Sequence, residues 1–205
     1  MTAPIRLDHA EARPAALRAH LIDGLPDLID AAADAAPVSY RFLRRQWFAA
    51  AVQAYGGTPR TVVATIGGMP VAAVPFVTAG PRWSGLAAVP GCYWPFRSVP
   101  VAAMADDAAI DAVLATLSGA VRGLRIGPVY DGDQGAGRLI ERARANGWGV
   151  IPRRIATSFL LDMAAARAEG TWPRNSTLKK NRFHEKHLAA HGALDWSFVS
   201  ARGWP

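Results

Sequence analysis

Apolar and polar positions follow two periods along this chain, and the change from one period to the other marks its elements. Over residues 39–55 apolar side chains recur at helical spacing: Phe42, Leu43, Trp47, Ala50, Ala51 and Ala54 share a face, Ser39 stands as the N-cap, and Gly56-Gly57 stops the run. Two β-type runs come next, TVVATI (61–66) and VAAVPFV (71–77). They are joined across Gly67-Gly68, the permissive pair that a primed hairpin turn needs. Pro75 has no N–H and directs the second run toward an edge or a bulge. Asp106 opens a helix that carries Ile110, Val113, Leu114, Leu117 and Val121 at i, i+3, i+4, i+7 and i+11 and closes on Gly123. A strand over 124–129, a Gly-rich turn DGDQGAG (131–137) and a helix over 138–146 come next. Strand material over 149–157 and 158–162, kinked at Pro152, a helix within 171–192 and a strand over 194–199 complete the series. The first 37 residues are rich in Ala, Asp and Pro. They show a short helical pattern at 17–22 and an amphipathic turn at Leu25, Leu28 and Ile29, and are expected to pack loosely on the rest of the chain. Helices alternating with strands predict an α/β domain with a mixed sheet.

The stretch TWPRNSTLKKNRFHEKHLAAHG (171–192) breaks from this apolar economy. Read as a helix capped by Ser176 or Thr177, it puts Lys179, Arg182 and Lys186 on one face and Lys180, His184, His187 and His191 on a second polar stripe. Phe183 projects between the stripes, and Leu178, Leu188 and Ala189 make only a narrow apolar edge. A helix this polar has few core contacts to make, so its cations either serve a ligand or form a solvated face.

Composition narrows the partners. The 205 residues carry a formal charge of +7 and are 51% hydrophobic. A packed core is therefore available, and anionic partners such as phosphates, nucleotides, nucleic acid or acidic lipid are favoured. The single cysteine, Cys92, excludes an intramolecular disulfide and a Cys-rich zinc site. It suits a reducing compartment, and no stretch is apolar enough to span a membrane, so a soluble, cytoplasmic protein is expected.

Four places invite chemistry. The loop GPRWSGLAAVPGCYWPFRSVP (80–100) clusters Trp83, Tyr93, Trp94 and Phe96, which either line a cleft or cap the core. The turn at 131–137 lies where a strand hands over to a helix and could cradle a phosphate, but Asp131 and Asp133 would repel one; a structural turn is the competing reading. HEKHLAAH lacks the spacing of a hydrolytic zinc helix, and its lysines disfavour a dication, so no metal is expected. Cys92 comes after Pro-Gly in an apolar loop, where a packed thiol is the default.

WPRNSTLKKNRFHEKHLAAHG followed by a strand is similar to the segment joining the two halves of GNAT-superfamily acyltransferases of the Fem-like and CelD-like, cellulose-biosynthesis type. FLRRQWFAAAVQAYGG, the 61–77 hairpin and RIGPVYD…ANGWGV resemble the first half of such proteins. The resemblance implies a GNAT-like mixed sheet flanked by helices over 37–172, after an extension at 1–36. The start of a second GNAT-like unit, its basic helix and first strand, would occupy 173–205. It implies transfer of an acyl group from acetyl-CoA or another acyl-CoA, or a similar donor, to an amine, without a metal. By the same resemblance Ser176, Lys179 and Arg182, with Lys180 beside them, hold a small-molecule or nucleotide-linked anionic acceptor; from the aromatic cluster of the 80–100 loop, Trp94 and Phe96 are expected to line the cleft. The cofactor pattern [QR]-x-x-G-x-[GA] is degenerate at 131–137, and the family keeps its donor site in the second unit. The chain is accordingly expected to be incomplete as a catalyst and to work with a second GNAT-like unit; no residue receives a catalytic role. The competing reading is a non-enzymatic module that binds nucleic acid or another polyanion through the same helix.

Overall fold

In the computed structural model the described residues are 16–91, 96–157, 162–170 and 174–195. The chain divides into two compact units, Met1–Arg154 and Ile155–Pro205.

The first unit is an α/β unit built on a five-stranded mixed sheet in the order β1-β2-β3-β4-β5, flanked by helices. β1 (Leu17–Asp23), β2 (Arg60–Ile66), β3 (Met69–Thr78) and β4 (Leu86–Ala88) run antiparallel in turn, and β5 (Gly123–Arg125) runs parallel to β4. The β2–β3 hairpin forms as its sequence predicts. Gly67 and Gly68 take φ of 59° and 85°, the positive values a two-residue primed turn demands, and Ile66 pairs with Met69. Val62, Val63 and Ala64 are all fully buried. Successive strand residues point to opposite faces, so both faces of the hairpin are covered. α1 (Leu28–Asp34) packs on β3, and α3 (Asp107–Ala120) packs on β1 and β2. α3 is capped by Asp106, whose Oδ1 accepts from Ala109 N at 2.9 Å, and Ile110, Val113, Leu114 and Leu117 are buried as their spacing predicts.

Several expectations are corrected by tertiary context. Residues 17–22 form strand β1, not a helix, pairing with β2 from Leu17↔Ile66 to Asp23↔Arg60. Together with α1, whose Ile29, Ala32 and Ala33 are fully buried, this makes residues 17–34 part of the sheet and core instead of a loosely packed extension. The helix expected from Ser39 is a 3₁₀ turn, Val38–Tyr40, followed by α2 (Arg45–Tyr55). The start is fixed by α1: Arg45 N donates to Asp30 Oδ1 at 2.6 Å, Arg45 pairs with Asp27 at 3.0 Å, and Arg44 pairs with Asp34. Starting there takes Phe42 out of the helix. Phe48 joins Leu43 and Ala51 in the core, while Ala50 and Ala54 are exposed. Pro75 lies in an interior strand, and the register irregularity of the hairpin falls at Ala64/Thr65 instead. Ala73 N donates to Pro100 O and Ala102 N to Val71 O, so the odd residues of β3 face away from β2. Pro75 then occupies the gap between the Ala72↔Val101 bridge and the Val77↔Ala88 pair, where its missing N–H breaks no described ladder.

β5 ends at Arg125, four residues before the predicted strand would; Gly127, at φ 99°, has left the extended conformation. α4 (Gln134–Ala145) begins four residues earlier than predicted. Residues 149–157 form no strand, and 158–161 lie outside the described residues. α5 (Met163–Ala168) was not predicted, although Asp162 signals it by accepting from Ala164 N and Ala165 N, both at 2.9 Å. In the second unit α6 (Asn175–Ala189) is the predicted basic helix; Leu194 and Asp195 carry no strand, and the rest of the last predicted strand lies outside the described residues. Among the described residues no helix is long and apolar enough to cross a membrane.

α3 and α4 are clamped by charge. Arg142 Nε and Nη2 donate to Asp111 at 2.8 and 2.5 Å, its Nη1 reaches Asp107 at 3.0 Å, and Asn146 Nδ2 donates to Asp111 at 2.7 Å. The hydrogen bonds from Arg142 hold the Asp111 carboxyl below the usual aspartate range, against a smaller opposing effect of burial. A depressed folded-state value means that stability is fully present above the unfolded value and is lost as pH falls through the folded one. Asp111→Asn should therefore lower the thermal midpoint at neutral pH, and the difference from the parent should shrink below about pH 4. Phe48→Ala should cost about 3–5 kcal/mol in urea unfolding, because it empties a fully buried site.

Candidate functional site

Two places carry the side chains from which a site can be built, one in each unit. In the first unit the only parallel strand pair among the described residues is β4–β5, and the segments beyond its carboxyl ends are 89–106 and 126–133. This end of a parallel pair is where α/β sheets commonly seat ligands. Arg97 N donates to Pro128 O and Gly127 N to Arg97 O, which ties the two segments together. Phe96 and Tyr130 are thereby brought to a ring separation of 6.0 Å, edge to face. Phe96 also meets Phe42 at 5.5 Å, and Phe42 meets Trp47 at 5.2 Å. The result is a row of rings drawn from three segments. Phe42 and Phe96 are partly exposed, and Trp47 Nε1 is buried with no hydrogen-bond partner among the described residues.

A polar cluster lies in the same segments. Buried Ser98 donates to Asp133 Oδ1 at 2.6 Å, and the same oxygen caps α4 by accepting from Ala136 N at 2.7 Å. Gln134 N donates to Tyr40 Oη at 2.9 Å. Burial pushes the Tyr40 phenol up, against the opposing Gln134 N–H, and the Asp133 carboxylate adds a smaller push in the same direction. The phenol therefore stays protonated at neutral pH. These bonds favour the structural reading of the Gly-rich turn. Gly135 and Gly137 belong to the first turn of α4, whose amides are taken by Tyr40 and Asp133, and a Cβ at Gly135 would collide with the Val99 carbonyl. The α4 end of the turn thus serves packing and capping.

In the second unit, α6 has no buried residue. Its N-cap is Arg174, in extended backbone, and Leu178 N bonds to Arg174 O at 3.0 Å. Ser176 and Thr177 therefore lie inside the first turn and do not cap it, which corrects the sequence reading. Lys179, Lys180, Arg182 and Lys186 are exposed and make no ion pair among the described residues. Glu185 is the helix's one carboxylate. His184, His187, Leu188 and His191 line a shallow groove, and Phe183, 62% exposed, sits edge-on to His184 and His187 at 5.6 Å from each. Among the described residues no group of three or more His, Cys, Asp or Glu side chains is placed to hold a metal ion.

Of the residues singled out by sequence, Ser176, Lys179, Lys180 and Arg182 thus share α6. Phe96 belongs to the first unit, and Trp94 and Cys92 lie outside the described residues. Sequence reasoning missed Tyr40, Ser98, Tyr130 and the capping role of Asp133. For Asp133 the signal was there: an Asp directly before the amphipathic run Gln134–Ala145 is an N-cap pattern. Comparison with protein-family models, with curated proteins and with solved structures finds no match to this chain.

Asp133→Ala should cost about 2 kcal/mol in chemical unfolding, since it removes the cap of α4 and leaves the buried Ser98 hydroxyl without its acceptor. Asp133→Asn, which keeps an acceptor oxygen, should recover much of that loss.

Proposed function

We propose that this chain acts in acyl transfer of the GNAT kind, with α6 as the element that holds the anionic part of an amine-bearing acceptor. The observation that carries the reading is the state of α6: four cations on a helix that buries nothing and pairs them with nothing among the described residues. Among the described residues none of these charges is engaged by the fold, which leaves them available to a ligand. Lys179, Arg182 and Lys186 at i, i+3 and i+7 face one way and would meet several oxygens of one phosphate-bearing or carboxylate-bearing acceptor. The first turn of α6 contains no acidic side chain to compete for an anion. The mixed sheet of the first unit is of the kind that a GNAT-like unit is expected to have.

In the reaction proposed, the acceptor amine attacks the thioester carbonyl of acetyl-CoA or another acyl-CoA. The C–N bond forms, the C–S bond breaks, coenzyme A leaves as the thiolate, and the amine proton passes through a carboxylate or water to that thiolate to give the thiol. The resemblance puts the working donor site in the second unit, so we assign the donor there. Phe96, with Phe42 and Tyr130, offers an apolar wall at the carboxyl ends of β4 and β5. The cytoplasm, where acyl-CoA is found and Cys92 would stay reduced, is the setting that suits this chemistry.

The test is thermal unfolding of the chain with a nucleoside diphosphate, standing for the anionic part of the acceptor, and separately with a short DNA duplex at physiological salt. Stabilisation by the nucleoside diphosphate that obeys mass action, reaching about 2.7 kcal/mol at a hundredfold excess over Kd and lost in Lys179→Gln/Arg182→Gln, is the expected outcome; no stabilisation would overturn the reading. Stabilisation by the duplex alone, abolished by modest added salt, would replace acyl transfer with polyanion binding by α6.

A further inference from the structure

A second surface, in the first unit, is used by neither the core nor the proposed reaction. The 3₁₀ turn Arg82–Ser84 holds Trp83 outward, 82% exposed. The turn is firmly made. Ser84 Oγ donates to Pro81 O at 2.7 Å and accepts from Leu86 N at 3.2 Å, and Arg122 N donates to Gly85 O at 2.8 Å. Gly85 is left-handed at φ 66°, and a Cβ there would stand 2.9 Å from Arg122 Cγ. Glycine thus lets the Arg122 stem lie flat against the turn. Arg82, Trp83 and Arg122, with Ser118 and Gly119 at the end of α3, line an open groove of about 410 Å³. No acidic side chain lines it, and neither arginine has an ion-pair partner among the described residues. The groove stands at the amino ends of β4 and β5, where Leu86 pairs with Gly123. It therefore lies at the other end of the parallel pair from Phe96 and Asp133. The carbonyl end of α3 accounts for a cation at Arg122, but it does not account for an indole held in water.

We propose that this groove binds single-stranded nucleic acid, with a base stacked on Trp83 and the flanking phosphates on Arg82 and Arg122. An aromatic platform beside unpaired cations is the arrangement that takes up successive nucleotides without reading their sequence. The groove is too open to bury a free nucleotide as small-molecule sites bury theirs, whereas a strand gathers further phosphate contacts over a chain of charge +7. A duplex keeps its bases stacked inside and presents none to the indole.

The test is fluorescence anisotropy of the full chain with a labelled oligothymidylate of about twelve nucleotides, titrated over a range of salt. Trp83→Ala should weaken binding about tenfold and Trp83→Phe much less. The ring is so exposed that neither change should alter the thermal midpoint. Arg82→Ala with Arg122→Ala should make the log–log salt dependence shallower by about 1.4, roughly 0.7 for each single-strand phosphate no longer neutralised. The proposal is overturned if Trp83→Ala binds as tightly as the parent. It is equally overturned if thymidine monophosphate competes at the same affinity, if a duplex binds as well as the single strand, or if only the α6 variant Lys179→Ala/Arg182→Ala loses affinity. Each readout is independent of whether acetyl-CoA binds.

Discussion

The first unit depends on a hairpin that cannot meet water on either face. β2 and β3 bury consecutive residues, so each side of the hairpin needs a cover, and the surrounding chain is arranged to supply it. β1 closes one edge of the hairpin and the 100–102 segment with β4 closes the other. α3 and α1 pack on the strands themselves. The Asp27, Asp30 and Asp34 side chains of the α1 region then set where α2 begins, which turns Phe48 into the core and leaves Phe42 beside Phe96. The aromatic row at the carboxyl ends of β4 and β5 is thus a consequence of how the hairpin is covered.

Charge is apportioned differently in the two units. In the first, Arg44, Arg45 and Arg142 meet aspartates, and the Arg142–Asp111–Asn146 cluster locks α4 against α3. Exposed pairs of this kind contribute little individually, but a bidentate arginine with a third partner fixes the relative position of two helices. In the second unit α6 carries four cations that form no ion pair among the described residues. Arg82 and Arg122, like Arg18, Arg125 and Arg144, also form no ion pair among the described residues, and what sets them apart is the exposed Trp83 beside them. An unpaired cation on a well-formed element costs the fold little and gains when an anion arrives, which is why these positions, and not the paired arginines, carry the functional readings.

How much of the fold was legible in the sequence depends on how local each signal is. α3 could be read because its cap, Asp106, and its apolar stripe are complete within the helix itself. The β2–β3 hairpin could be read because Gly67-Gly68 dictates its turn. α6 could be read as a basic helix from its own residues, though Arg174 and not Ser176 caps it. β1 could not: Leu17, Leu21 and Ile22 fit a helical face as well as a strand, and only pairing with β2 decides between them. The start of α2 depends on Asp30, fifteen residues away, and the packing of the first turn of α4 depends on Tyr40 and Val99. Interactions over such separations leave no period or spacing to read. The same holds for the candidate site: its cations were visible in one stretch, while the Tyr40–Asp133–Ser98 cluster exists only once three segments have met.

The central claim is that the cations of α6 serve a ligand and not the fold. The most direct measurement is the chemical unfolding of a variant in which Lys179, Arg182 and Lys186 are all replaced by Gln, a residue of similar helix propensity. The account predicts an unfolding free energy within about 0.5 kcal/mol of the parent, as for surface positions that hold nothing together. A loss of more than about 2 kcal/mol would contradict it, because those charges would then be part of what keeps the chain folded.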